Sequence, residues 1–130
     1  MNNTLDFKYK FLEKEKDKIY NEYNSAKIAY KEKNMDKAKK ILDGIYTNRA
    51  LYIDDQSLVA RVLILLGEVY YRFNDKEKAK EFSSQALKIV LCESLKHKDK
   101  KTYQYVINKY ILVNKDIEDE EILYLLEDIS

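Results

Sequence analysis

Apolar residues return along this chain at helical intervals almost from one end to the other. Leu5, Leu12, Ile19 and Ala26 follow one another every seven positions. Tyr9, Tyr23 and Tyr30 stand four places after three of them, with Lys16 the polar exception in that second row. A seven-residue return keeps side chains on one face of an α-helix, so residues 4–33 are predicted to form a helix of ~45 Å at ~1.5 Å per residue. Asn21, Asn24 and Ser25 compete for backbone hydrogen bonds in a helix interior and mark where a bend is expected.

Polar residues that can accept from the free amides of a helix start divide the rest. Asn34 opens a helix over 35–46, Asp54 or Asp55 one over 56–73, and Asn74 or Asp75 one over 76–95. Asp99 opens 100–113, and Asn114 or Asp116 opens 117–128, with 47–54 as the longest connector. About six helices follow. Sliding the chain against itself aligns Tyr30, Tyr70 and Tyr110 at an interval of 40, each followed four residues later by an Asn: Asn34, Asn74 and Asn114. Each Asn is expected to cap the second helix of its unit. The reading is a single domain, 1–130, of three helix-turn-helix units over about 4–46, 55–95 and 99–129.

Composition narrows this to an all-α fold. Two glycines and no proline in 130 residues leave almost none of the punctuation that hairpins and doubly wound sheets use. Gly44 reads as a break or cap near a helix end. Gly67 stands inside a helix, where it costs ~1 kcal/mol against Ala, and so requires a packing reason.

That reason comes with a resemblance. The stretch Ala60-Arg61-Val62-Leu63-Ile64-Leu65-Leu66-Gly67-Glu68-Val69-Tyr70, followed by Ala79, Phe82 and Ala86-Leu87, resembles a tetratricopeptide repeat: Leu-Gly-x-x-Tyr in the first helix, a small Ala early in the second, and an aromatic before Ala-Leu. The resemblance implies a short right-handed solenoid in which Gly67, Ala79 and Ala86 let paired helices approach, while Leu63, Tyr70 and Phe82 fill the space between them. The flanking units depart from the pattern: an interval of 40 places Lys27 and Ile107 opposite Gly67. The interval also exceeds the family's ~34.

Charge and candidate chemistry change the picture little. The net charge is +1, from 24 basic and 23 acidic residues, and Arg49, Arg61 and Arg72 are the only arginines. No constellation for catalysis is present. His97 lies in a lysine-rich turn and reads as a solvated imidazole; Cys92 reads as a small core residue; one Cys and one His cannot make a zinc site. No cofactor is expected. The acids at 116–121 lack the Gly and the alternation of a calcium loop and suit the first turn of a helix. The lysine-rich turn, 96–101, with Tyr103 and Tyr105 beside it, has the cations and rings that single-stranded nucleic acid requires, but residues 116–130 carry seven acids and no base and would repel phosphates. A lone cysteine, no signal-like start and a longest apolar run of only five residues, 62–66, against the ~20 of a membrane span point to a cytoplasmic protein.

The resemblance implies a groove made by the first helix of each unit. It places Asn21, Asn24 and Lys31 there from the first unit, Arg61, Ile64, Glu68, Tyr71 and Arg72 from the second, and Lys101, Gln104, Tyr105 and Asn108 from the third. Arg61, Glu68 and Arg72 share one helical face. The function expected is that of a non-catalytic adaptor or regulator that binds a protein or peptide partner. The alternative is a structural role in which the seven-residue stripe of the first helix pairs with a second copy.

Overall fold

Four polar side chains set the helix starts. Asn34 Oδ1 accepts from the Lys37 amide at 3.3 Å, Asp55 Oδ1 from Leu58 at 3.1 Å, Asp75 Oδ1 from Lys78 at 3.2 Å and Asp99 Oδ1 from Thr102 at 3.2 Å. Each satisfies an amide that has no partner within its own helix. The computed structural model describes residues 3–92 and 94–115. Over these, the elements are α1 (Asn3–Lys31), α2 (Met35–Thr47), a 3₁₀ helix (Arg49–Tyr52), α3 (Gln56–Arg72), α4 (Lys76–Cys92), the short α5 (Leu95–Lys98) and α6 (Lys100–Val113). No strand occurs among the described residues.

The core is built around α3. From Leu58 to Tyr70 every residue except Arg61 is buried, and a helix buried on all sides must be wrapped by others. α4, α2 and α6 all pack against it, and α1 covers α2. Gly67 explains how α4 comes so near: a Cβ there would stand 3.2 Å from the Ala79 carbonyl oxygen and 3.3 Å from both the Ser83 nitrogen and Cβ. Phe82 fills the gap beside this close approach. It stacks on Tyr70 at 5.5 Å and meets Tyr46 edge-on at 5.3 Å.

The two interhelical turns fix the register of the repeat. Lys33 and Asn74 both take left-handed backbone conformations, with φ of 64° and 62°. In the first turn Lys33 N–H donates to Tyr30 O and Asn34 N–H to Ala29 O; in the second Asn74 donates to Tyr71 O and Asp75 to Tyr70 O. This is one Schellman closure made twice, and the interval from 33 to 74 is 41. The same spacing of 41 joins Arg61 to Thr102 across α3 and α6. At 41, Ala26 falls opposite Gly67 and Ala38 opposite Ala79, all small and buried or closely packed.

The expected interval of 40 is therefore corrected by one residue. Its aligned tyrosines are not equivalent: Tyr30 bonds to Glu68, whereas Tyr70 lies among α2 and α4 with its hydroxyl on Asp43. Asn74 makes the left-handed turn residue, and Asp75 is the cap. Asn114 turns inward and donates to Ser83 Oγ and Tyr110 O. Further expectations change. α1 continues through Asn21 to Ser25, where Ser25 Oγ donates to Asn21 O. Gly44 is neither break nor cap, since α2 continues to Thr47 and Asn48 ends it. The helix expected over 76–95 stops at Cys92, which is exposed and not core. The helix expected over 117–128, and the acids within it, lie outside the described residues.

The two glycines give opposite predictions. A Cβ added at Gly44 would meet no atom within 4 Å, so Gly44→Ala should stabilise by about 1 kcal/mol through helix propensity alone. Gly67→Leu forces α3 and α4 apart and should destabilise by roughly 1–3 kcal/mol. Urea unfolding followed by circular dichroism measures both; a neutral Gly67→Leu would contradict the close approach.

Candidate functional site

One face of α1, α3 and α6 gathers polar and aromatic side chains around a buried carboxylate. Glu68, in the middle of α3, is only 3% exposed. Its Oε2 accepts from the Tyr30 hydroxyl of α1 at 2.8 Å and lies 3.4 Å from Lys109 Nζ of α6. A buried charge without partners would be costly, so this carboxylate holds all three helices in one arrangement. Its Oε1 and the buried hydroxyl of Tyr23 make no hydrogen bond among the described residues.

Arg61 extends the network. Its Nε donates to Thr102 Oγ1 at 2.8 Å, and that hydroxyl donates in turn to Asp99 Oδ2 at 2.6 Å. Its guanidinium also lies over the Tyr105 ring at 5.3 Å, which Lys109 approaches at 5.9 Å. Arg72 reaches the Tyr30 hydroxyl at 3.4 Å. At the far end, Tyr20 donates to Asp55 at 2.5 Å, so the residue that caps α3 also anchors α1. Burial pushes the hydroxyls of Tyr23, Tyr30 and Tyr105 above the ordinary phenol range, because the interior disfavours a phenolate. Tyr20 is raised to about 12, by burial first and then by its bond to the Asp55 carboxylate.

Of the residues that the sequence placed on this face, Arg61, Glu68, Arg72 and Tyr105 meet in the network. Tyr71 is half-buried against the core, and Ile64 is fully buried beneath the face. Asn21, Asn24, Lys31, Lys101, Gln104 and Asn108 are exposed and take no part in these contacts. Tyr23, Tyr30, Thr102 and Lys109 were missed. The shift from 40 to 41 accounts for most of this: one residue turns a helix by ~100°, replacing Asn24 with Tyr23, Lys101 with Thr102 and Asn108 with Lys109. The rings beside the lysine-rich turn also separate, with Tyr103 buried below Lys96 and Tyr105 on the face described here. His97 is exposed within α5.

Among the described residues no group of His, Cys, Asp and Glu side chains could hold a metal ion, and no helix is long and apolar enough to cross a membrane. A family model described as tetratricopeptide repeat matches residues 18–91, from the packed part of α1 to the end of α4. Comparison with curated proteins and with solved structures gives no match.

The raised hydroxyls predict alkaline instability. A phenol whose pKa is higher in the folded chain keeps its full stabilising effect below the unfolded value of 10.0 and loses it as pH rises toward its folded value, about 12 for Tyr20. Helical circular dichroism should hold below 10 and fall between 10 and about 12, with tyrosinate absorbance from the buried rings rising in the same transition. Full tyrosinate absorbance from a chain still helical at 10 would contradict the burial of these hydroxyls.

Proposed function

Because the chain belongs to the tetratricopeptide repeat family, whose units generally mediate protein–protein interaction, we propose that it is a small non-catalytic adaptor or regulator. It binds a peptide or helical segment of a protein partner on the face shared by α1, α3 and α6. One observation carries this reading: Arg61 and Lys109 lie at the Tyr105 ring, Lys27 at the Tyr23 ring and Arg72 at the Tyr30 hydroxyl, and the carboxylate buried among them, Glu68, is met by Tyr30 and Lys109. Cations held on aromatic faces present directed donors and flat apolar surface together. An acidic segment with an apolar or aromatic residue between its carboxylates fits that combination, and Tyr71 supplies an apolar anchor at one end.

Selection of a displayed peptide library on the immobilised chain should enrich acidic sequences, and raising the salt concentration should weaken their binding. Arg72→Ala alters an exposed side chain, and Arg61→Ala removes the bond to Thr102, so the pair should reduce binding about tenfold or more with the helical spectrum retained. Enriched peptides that bind the double variant as tightly as the parent would overturn the assignment.

A second reading rests on the first half of α1 alone, because Ile19, Tyr23 and Ala26 of the expected seven-residue stripe are buried in the chain's own core. Phe7 is 71% exposed, and Phe11 and Leu12 lie beside it at 51% and 44%, an apolar stripe that no other described element covers. Pairing of two copies through this stripe would bury it. Light scattering after size exclusion should then report a dimer that Phe11→Glu with Leu12→Glu converts to monomer; a monomer at high concentration without the substitutions removes this reading.

A further inference from the structure

On the side of α3 turned away from the polar face, a cleft of about 310 Å³ opens between the first turns of α3, the end of α4 and the 3₁₀ connector. Its walls are apolar: Val59 and Leu63 of α3, Ile89 of α4, and the ring of Tyr52. Tyr52 holds the wall in place, because it is fully buried and its hydroxyl donates to Ile45 O at 2.9 Å. The mouth is different. Arg49, Lys88 and Gln85 stand there, and among the described residues no acid lines the cleft. Arg49 is positioned by its stack over Tyr46 at 4.5 Å and by a bond from Nη1 to Tyr46 O at 3.1 Å. Neither Arg49 nor Lys88 has an ion-pair partner among the described residues.

We propose that this cleft is a binding site for a small carboxylic acid with a short aliphatic body. The body lies against Val59, Leu63 and Ile89, and the carboxylate stays at the mouth with Arg49 and Lys88, where Gln85 offers a further donor. Size favours a small molecule over a protein segment, since about 310 Å³ lies at the low end of the ~300–1,000 Å³ that small-ligand sites span. Charge favours an anion, because two cations flank an apolar floor and no acid among the described residues lines it. The site is separate from the polar face. Val59 and Leu63 are four apart on α3 and point opposite to Arg61 and Glu68, so occupancy here does not depend on a partner there.

Octanoate and its uncharged counterpart octanamide are suitable probes, read by methyl chemical shifts in the whole chain. Octanoate should give saturable shifts at Val59, Leu63 and Ile89, and octanamide should bind about tenfold more weakly. Arg49→Gln with Lys88→Gln, both on the exposed rim, should weaken octanoate about tenfold and leave octanamide unchanged. Ile89→Trp fills the cleft and should abolish both; if it unfolds the chain, the rim variant still decides. Absence of saturation, shifts scattered over other methyls, equal binding of acid and amide, or an unaffected rim variant would each overturn the proposal.

Discussion

The near-complete burial of α3 from Leu58 to Tyr70 governs the rest of this structure. A helix that carries Leu58, Val62, Leu65 and Val69 on one side and Ala60 and Ile64 on another has to be enclosed, and α2, α4 and α6 provide the enclosure. Enclosure sets two demands. Where α4 comes closest, no side chain fits, and Gly67 meets that demand. Where the sequence has a carboxylate, the surrounding helices must supply partners, and Tyr30 of α1 and Lys109 of α6 both meet its Oε2.

Glu68 therefore has a role beyond its own hydrogen bonds. A buried ion pair contributes little net stability over an apolar replacement, yet losing one partner leaves an uncompensated charge. Any displacement of α1 or α6 along α3 would cause that loss. The polar face is thus held in one geometry by its own chemistry, and Arg61, Thr102 and Asp99 repeat the tie at the start of α6. A preformed array of this kind lowers the ordering cost of binding.

The lengthened unit has consequences on the other side of α3. With 41 residues from the turn at Lys33 to the turn at Asn74, against the family's ~34, the chain has room for the connector that carries Arg49 and Tyr52. Tyr52 packs as core while Arg49 and Ile53 face outward. The connector thereby becomes one wall of the cleft that Val59, Leu63 and Ile89 complete. Repeat length and the second site have a common origin in this insertion.

The sequence alone determined most of the helices, because spacing and capping act locally: Asn34 and Asp99 could be read as caps before any neighbour was known, and Asp55 and Asp75 as one of two adjacent candidates each. It also determined that Gly67 is a contact position, since an interior glycine has a cost that only close packing offsets. It could not settle the register between units. Apolar residues align almost as well at 40 as at 41, whereas each step rotates every side chain by ~100°, and only the paired Schellman turns distinguish the two. For the same reason Tyr23, Tyr30 and Lys109 were not legible as neighbours of Glu68. Their proximity depends on how three helices pack across segments far apart in the chain, and tertiary structure alone decides that.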